Sequence, residues 1–114
     1  MRVPLIASSA SRPGAERRRE KRYQVDLPGT VRVGEMSSPV TVSDLSASGA
    51  LVAFDTEHKP FRAGTQLILL LDEFGAIEAR IVHVGNGFYG LSFVNPHLHR
   101  DRLTQWLRQE VGAA

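Results

Sequence analysis

Between residues 23 and 94 the chain consists of short segments in which apolar and polar residues alternate. A period of two is typical of β-strands that bury one face and expose the other. Turn-forming residues separate the segments, most clearly Gly85-Asn86-Gly87, because Asn-Gly is a strong hairpin signal. About six strands with no helix between them predict an all-β domain, an antiparallel sheet or barrel.

Two segments add detail to this pattern. Leu67 to Leu71 is a continuous apolar run, which predicts a strand buried on both faces. Further along, Ile77, Ala79 and Ile81 alternate with charged residues, and His83 is in phase with them. We therefore expect His83 to face the core or its rim, with its hydrogen bond satisfied.

The last part of the chain changes to a helical period. Asn95 is a candidate N-cap, and Pro96 suits the first position of a helix. A helix over residues 96–111 places four apolar side chains on one face: Leu103, Trp106, Leu107 and Val111. We expect this C-terminal amphipathic helix to pack on the barrel or on a partner.

The N-terminal part is predicted to lack regular structure. Residues 1–15 contain serine, proline and glycine without periodicity and are expected to form a disordered leader. Residues 16–22 form a basic arm, and a barrel over residues 23–95 follows, so that residues 16–114 make one domain. The apolar run at residues 3–7 is shorter than the roughly 7–15 residues of a signal peptide.

Composition narrows the chemistry and the compartment. The chain has no cysteine, which excludes disulfides, thiolate catalysis and cysteine-based zinc sites and suits a reducing cytoplasm. No apolar stretch is long enough to span a bilayer. We therefore expect a cytoplasmic domain without membrane insertion.

The positive charge is concentrated in one short segment. Although the net charge is only +2, residues 12–22 hold six Arg or Lys against two Glu, and the remaining chain is net negative. Such a segment indicates a localised anionic partner rather than a diffuse basic surface.

Two short motifs carry the candidate chemistry. Guanidinium groups make planar, bidentate contacts with phosphate oxygens or with the O6/N7 edge of guanine. An aspartate accepts the N1 and N2 protons of guanine, a serine hydroxyl donates and accepts, and glycine permits positive φ and close backbone approach. The chain offers these groups as R-x-x-x-R at Arg18 and Arg22, and as D-x-S-x-x-G at Asp44, Ser46 and Gly49.

Each motif alone is also explained by a solvated tail or by a local β-turn. In this order, with 21 residues between Arg22 and Asp44, the two motifs resemble those of the PilZ domain family of bacterial cyclic di-GMP receptors. The resemblance implies a six-stranded antiparallel β-barrel followed by a helix, with ligand held between the arm and the barrel's outer face. It implies that Arg18 and Arg22 bind phosphate and guanine, and that Asp44 and Ser46 read guanine.

Two more residues are candidate ligand contacts through the resemblance. Arg17 directly precedes the first motif, and its guanidinium is placed to stack on a second ligand molecule. The family binds cyclic di-GMP singly or as an intercalated pair, and we expect the pair. His83 is a candidate because in the family its strand supplies a side chain that stacks on guanine.

The resulting hypothesis is a receptor that orders its Arg-rich arm on ligand binding and signals through an unidentified partner protein. No enzymatic activity, metal site or cofactor is expected, because phosphate-loop and nucleophile-elbow motifs are absent from the sequence. One alternative is a single-stranded nucleic-acid-binding barrel, which an aromatic content of 7% disfavours. The other is a PilZ-type interaction adaptor that binds no ligand.

Overall fold

The computed structural model describes residues 21–57 and 59–110. Six antiparallel strands close into a barrel in the order β1-β2-β3-β6-β5-β4, and a 3-10 turn and an α-helix follow. This confirms the predicted barrel with a C-terminal helix. The predicted leader (1–15), Arg17, Arg18 and Val111 lie outside the described residues. The elements are β1 (Tyr23–Val33), β2 (Met36–Leu45), β3 (Gly49–Phe54), β4 (Gln66–Leu71), β5 (Gly75–Val84), β6 (Tyr89–Phe93), the 3-10 turn (Pro96–Leu98) and α1 (Arg100–Glu110).

The barrel interior is filled by the apolar residues that alternate along every strand. Strand β4 follows the same rule, since Leu67, Leu69 and Leu71 are buried whereas Ile68 and Leu70 are only partly buried. The prediction of a strand buried on both faces was therefore wrong for β4. A barrel has one enclosed face, and a continuous apolar run does not reveal which of its residues will face outward.

Three irregularities in register interrupt the barrel. They fall at residues 25–26 in β1, at Ser43 in β2 and at Val82 in β5. In a β-bulge an extra residue on one strand has no partner, so the residues beyond it change faces relative to a regular strand. Two of these bulges determine which side chains reach the outer surface at the candidate site.

The C-terminal segment is divided at His99 rather than forming one helix from residue 96. Asn95 has a left-handed backbone (φ 51°) and makes no side-chain capping hydrogen bond to the 3-10 turn. Helix α1 then buries Leu103 and Leu107 in the core. Trp106 is partly buried at 5.7 Å from the Phe74 ring, measured between ring centroids. Within the described residues, no helix is both long and apolar enough to cross a membrane.

Candidate functional site

Four residues on four neighbouring strands form a row across the outside of the barrel. Asp44 on β2 pairs with Leu51 on β3, Leu51 pairs with Gly90 on β6, and Gly90 pairs with His83 on β5. The neighbours of Leu51 and Gly90 along their own strands are buried, so both positions face outward. This cross-strand row (Asp44, Leu51, Gly90, His83) brings together residues that are far apart in the sequence.

His83 lies on the outer surface, which corrects the predicted core or rim position. Val82 is the extra residue of the β5 bulge, so the alternation that buries Ile81 does not continue to His83. The His83 ring instead packs against Phe88, with ring centroids 5.9 Å apart. The Phe88 ring in turn lies over Gly85, where a Cβ atom would collide with it. The bulge therefore supplies the outward histidine that the alternating pattern had assigned to the interior.

The first described part of the arm meets the acidic motif. A guanidinium nitrogen of Arg22 (Nη2) lies 3.3 Å from a carboxylate oxygen of Asp44 (Oδ2), although 21 residues separate them in the sequence. The Arg22 side chain is 70% exposed and that of Asp44 is 25% exposed. An exposed pair of this kind contributes about 0–1 kcal/mol. The contact is therefore weak enough for a ligand to replace it.

Ser46 is buried and forms part of the turn that joins β2 to β3. Its backbone N–H donates to the Gly49 carbonyl oxygen at 2.9 Å, and its hydroxyl lies 3.4 Å from the same oxygen. The backbone N–H of Ser48 donates to the Ser46 hydroxyl at 3.3 Å. The serine of the motif thus stabilises the turn through its own hydrogen bonds.

Replacing Ser46 by alanine is expected to lower the free energy of unfolding by about 1 kcal/mol, because the hydrogen bond from the Ser48 N–H to the Ser46 hydroxyl is lost from a largely buried turn. Urea denaturation measures this change. Ser37→Ala, on an exposed position of β2, is the control and should leave the unfolding free energy within about 0.5 kcal/mol of wild type. An equally small change for Ser46→Ala would contradict the structural role of the hydroxyl.

Gly49 is required by close packing between strands. A Cβ atom at this position would lie 2.5 Å from the carbonyl oxygen of Leu91 on β6. Its φ is not among the positive values found at four other glycines, so the positive φ that glycine would permit is not used here. The close backbone approach predicted for Gly49 is present.

An open cavity of about 280 Å³ lies beside the cross-strand row. Three of the predicted site residues line it: Arg22, Ser46 and Gly49. Asp44 contacts the lining residue Arg22, and His83 pairs across strands with the lining residue Gly90. The other lining residues are Ser48, Ala50, Leu51, Val82, Gly90, Leu91 and Ser92.

Sequence reasoning did not identify Leu51, Val82 or Gly90 as part of the site. All three reach the cavity because β3, β5 and β6 are neighbours in the closed barrel, and the bulge turns Val82 outward. Val82 is 57% exposed, which is high for a valine within a strand. No local sequence signal marks a bulge here, so only the strand pairing reveals these lining residues.

The cavity combines a cation with apolar walls, and a carboxylate lies beside it in contact with that cation. Arg22 provides a planar donor for phosphate or guanine, and Asp44 provides an acceptor for base N–H groups. Leu51 and Val82 provide apolar surface for the face of a base. Over residues 21–57 and 59–110, no three His, Asp or Glu side chains converge as a metal site would require.

Comparison with known proteins identifies the family. The sequence profile of the PilZ domain matches residues 16–109, which is most of the chain. The protein belongs to the PilZ domain family, whose members are non-catalytic receptors for cyclic di-GMP. A search of curated proteins found no match to this chain.

Solved structures share the same fold. The PilZ domain of CeSA from a cellulose-synthesizing bacterium is similar at 22% identity and a TM-score of 0.60, covering 76% of this chain and 93% of that one. The PilZ domain of YcgR from Escherichia coli with c-di-GMP is similar at 15% identity and a TM-score of 0.58, covering 86% and 99%. The complex of YcgR with c-di-GMP gives 17% identity, a TM-score of 0.55, and coverage of 85% and 48%.

Proposed function

We propose that this domain binds cyclic di-GMP between its basic arm and the cavity beside the cross-strand row. In this proposal Arg18 and Arg22 bind phosphate and guanine, and Asp44 reads the guanine edge. The turn of Ser46 and Gly49 holds Asp44 at the cavity, and His83 closes the far end of the row. The bound arm then presents a changed surface to a partner protein.

The observation that carries the proposal is the contact between Arg22 and Asp44. The two motifs are distant in sequence, yet the guanidinium of one lies 3.3 Å from the carboxylate of the other, at the edge of one cavity. A single ligand placed there meets donors for its phosphates and an acceptor for its base. Arg18 precedes Arg22 by four residues, which an extended chain spans in at most about 14 Å, and the proposal assigns both to the same ligand.

The energies favour exchange of the ion pair for ligand contacts. The exposed Arg22–Asp44 pair contributes about 0–1 kcal/mol, whereas a good bidentate contact to a base contributes about 1–3 kcal/mol. Asp44 keeps a charge-assisted partner in both states, because the N1 and N2 protons of guanine replace the guanidinium. The contact that ligand binding breaks therefore opposes it by at most about 1 kcal/mol.

Isothermal titration of the full chain with cyclic di-GMP tests the proposal. We expect saturable binding with two ligand molecules per chain, one stacked on the other and contacted by Arg17. In a parallel NMR titration, the largest shifts are expected at the backbone amides of residues 44–49 and of Gly90, together with the arm. A stoichiometry of one would contradict the intercalated pair and leave the receptor proposal standing.

A single-stranded oligonucleotide serves as the competing ligand in the same assay. Nucleic-acid binding through the arm would fall steeply with added salt, because it depends on counterion release. Saturation by the oligonucleotide with no response to cyclic di-GMP would overturn the receptor proposal in favour of nucleic-acid binding. No response to either ligand would support an adaptor that works without ligand.

A further inference from the structure

Gly90 occupies the centre of the cross-strand row, where a side chain would project into the cavity. It pairs with Leu51 on one side and His83 on the other, and it lines the cavity itself. Its two partners both carry side chains on the outer face. The row therefore has a gap between Leu51 and His83 that is one residue wide. The backbone of β6 forms the bottom of this gap.

The backbone of Gly90 does not require glycine. Its φ is not among the positive values found in this chain, so an L-amino acid can adopt the same conformation. Glycine inside a strand is unfavourable by about 0.5–1 kcal/mol relative to alanine, and often marks a place where a ligand or another backbone approaches. Backbone conformation therefore does not explain the glycine, and two reasons are left: packing against the His83 Cβ and use of the space above Gly90.

The β5 bulge shapes that space. Because Val82 is the extra residue, Val82 and His83 are both exposed on the outer side of β5. A Cβ atom at residue 90 would lie 3.1 Å from the His83 Cβ. Even one methyl group would therefore reduce the gap, whose flanking strands β3 and β5 are two strand spacings, about 10 Å, apart.

We propose that Gly90 is a specificity-determining residue of the ligand site. Its missing side chain leaves room for the planar ring of a purine base to rest on β6 between Leu51 and His83. In that position the polar edge of the base is directed along the row toward Asp44. This inference rests on the proposed function and assigns the floor of the site to a residue outside both motifs.

The test is titration of cyclic di-GMP into Gly90→Ala. We expect binding at least about tenfold weaker than wild type, because a methyl group occupies the space of the base. The unfolding midpoint in urea is measured in parallel, because the new Cβ would lie 3.1 Å from the His83 Cβ and requires a small shift of that residue. Ala76→Val adds bulk at an exposed position of β5 that does not line the cavity, and it should bind like wild type.

A second pair of variants, in which His83 is also replaced, distinguishes loss of space for the ligand from disturbed packing against His83. In His83→Gly the Cβ atom that would lie 3.1 Å from a Cβ at residue 90 is removed, so the methyl group added by Gly90→Ala no longer meets it. A loss of at least about tenfold between His83→Gly and the double variant supports the proposal. If that loss disappears, Gly90 only accommodates His83 and the proposal is overturned.

The remaining outcomes are also decisive. Wild-type affinity in Gly90→Ala overturns the inference while the receptor function stands. A wild-type chain that does not bind cyclic di-GMP overturns the proposed function, and the inference falls with it. The double variant also covers a failure of Gly90→Ala to fold, because the contact that would disturb folding is absent from it.

Discussion

Replacing Asp44 by alanine is expected to weaken cyclic di-GMP binding by roughly fivefold to a hundredfold. The carboxylate is the acceptor for two guanine protons, and a bidentate base contact is worth about 1–3 kcal/mol, where each 1.4 kcal/mol is tenfold in affinity. Replacing Arg22 by alanine should have a similar effect, because its guanidinium lies at the mouth of the same cavity. Isothermal titration at fixed salt measures both losses.

Neither substitution is expected to disturb the fold. The two side chains form an exposed pair, so losing it costs at most about 1 kcal/mol of unfolding free energy. Arg32→Ala, on an exposed position at the other end of β1, controls for loss of a positive charge. Asp72→Ala, in the turn after β4, controls for loss of a negative charge. Both control variants should bind like wild type.

Unchanged affinity in Asp44→Ala and Arg22→Ala would exclude the proposed site, whatever the wild-type affinity. Equal weakening in both arginine variants, with stronger binding in both aspartate variants, would indicate a general charge effect rather than specific contacts. The comparison therefore distinguishes recognition of the ligand from attraction to its phosphates.

Gly49→Ala is expected to lower the free energy of unfolding more than Gly90→Ala, the other substitution that adds one methyl group to a glycine. The new Cβ would lie 2.5 Å from the Leu91 carbonyl oxygen, so β3 and β6 must separate where they pair. Overpacking of this kind costs about 1–3 kcal/mol. In a domain of this size, each kcal/mol lowers the melting temperature by roughly 4–8 °C. Thermal denaturation followed by circular dichroism measures the shift.

Gly90→Ala is the matched control for Gly49→Ala, because both add one methyl group to neighbouring strands of the same sheet. The Cβ of residue 90 would lie 3.1 Å from the His83 Cβ rather than 2.5 Å from a backbone oxygen, so its melting temperature should fall less than that of Gly49→Ala. A wild-type melting temperature for Gly49→Ala would show that β3 and β6 are less closely packed than described. Because Gly49→Ala is expected to destabilise the barrel, weak ligand binding by this variant would indicate a damaged fold.

The regular parts of the fold were accessible from the sequence. Alternation of apolar and polar residues predicts strands because side chains on a strand point to opposite faces in turn. Gly85-Asn86-Gly87 marked the β5–β6 hairpin, in which Gly87 has a φ of 93°. Two motif residues, Arg22 and Asp44, were also placed correctly near each other, but through family resemblance rather than through the alternation.

The irregular parts were not accessible from the alternating pattern. A one-residue bulge reverses the facing of every side chain beyond it, and the Val82 bulge therefore moved His83 from the predicted interior to the surface. The apolar run of residues 67–71 did not indicate the regular alternation in burial along β4, because the partly buried outer positions also carry leucine and isoleucine. Helix α1 began at Arg100 rather than at residue 96, since the 3-10 turn comes first.

The sequence by itself determined an antiparallel sheet or barrel with a C-terminal helix, and it marked a basic segment and an acidic turn as the candidate chemistry. Those properties follow from local periodicity and from the residue types present, whereas the choice of a barrel came from family resemblance. Only the tertiary structure decided that Arg22 touches Asp44, that Ser46 is committed to its turn, and that Gly90 lies between Leu51 and His83. Closure of the barrel and the positions of two bulges set these relations, and both depend on pairing between strands that are distant in the chain.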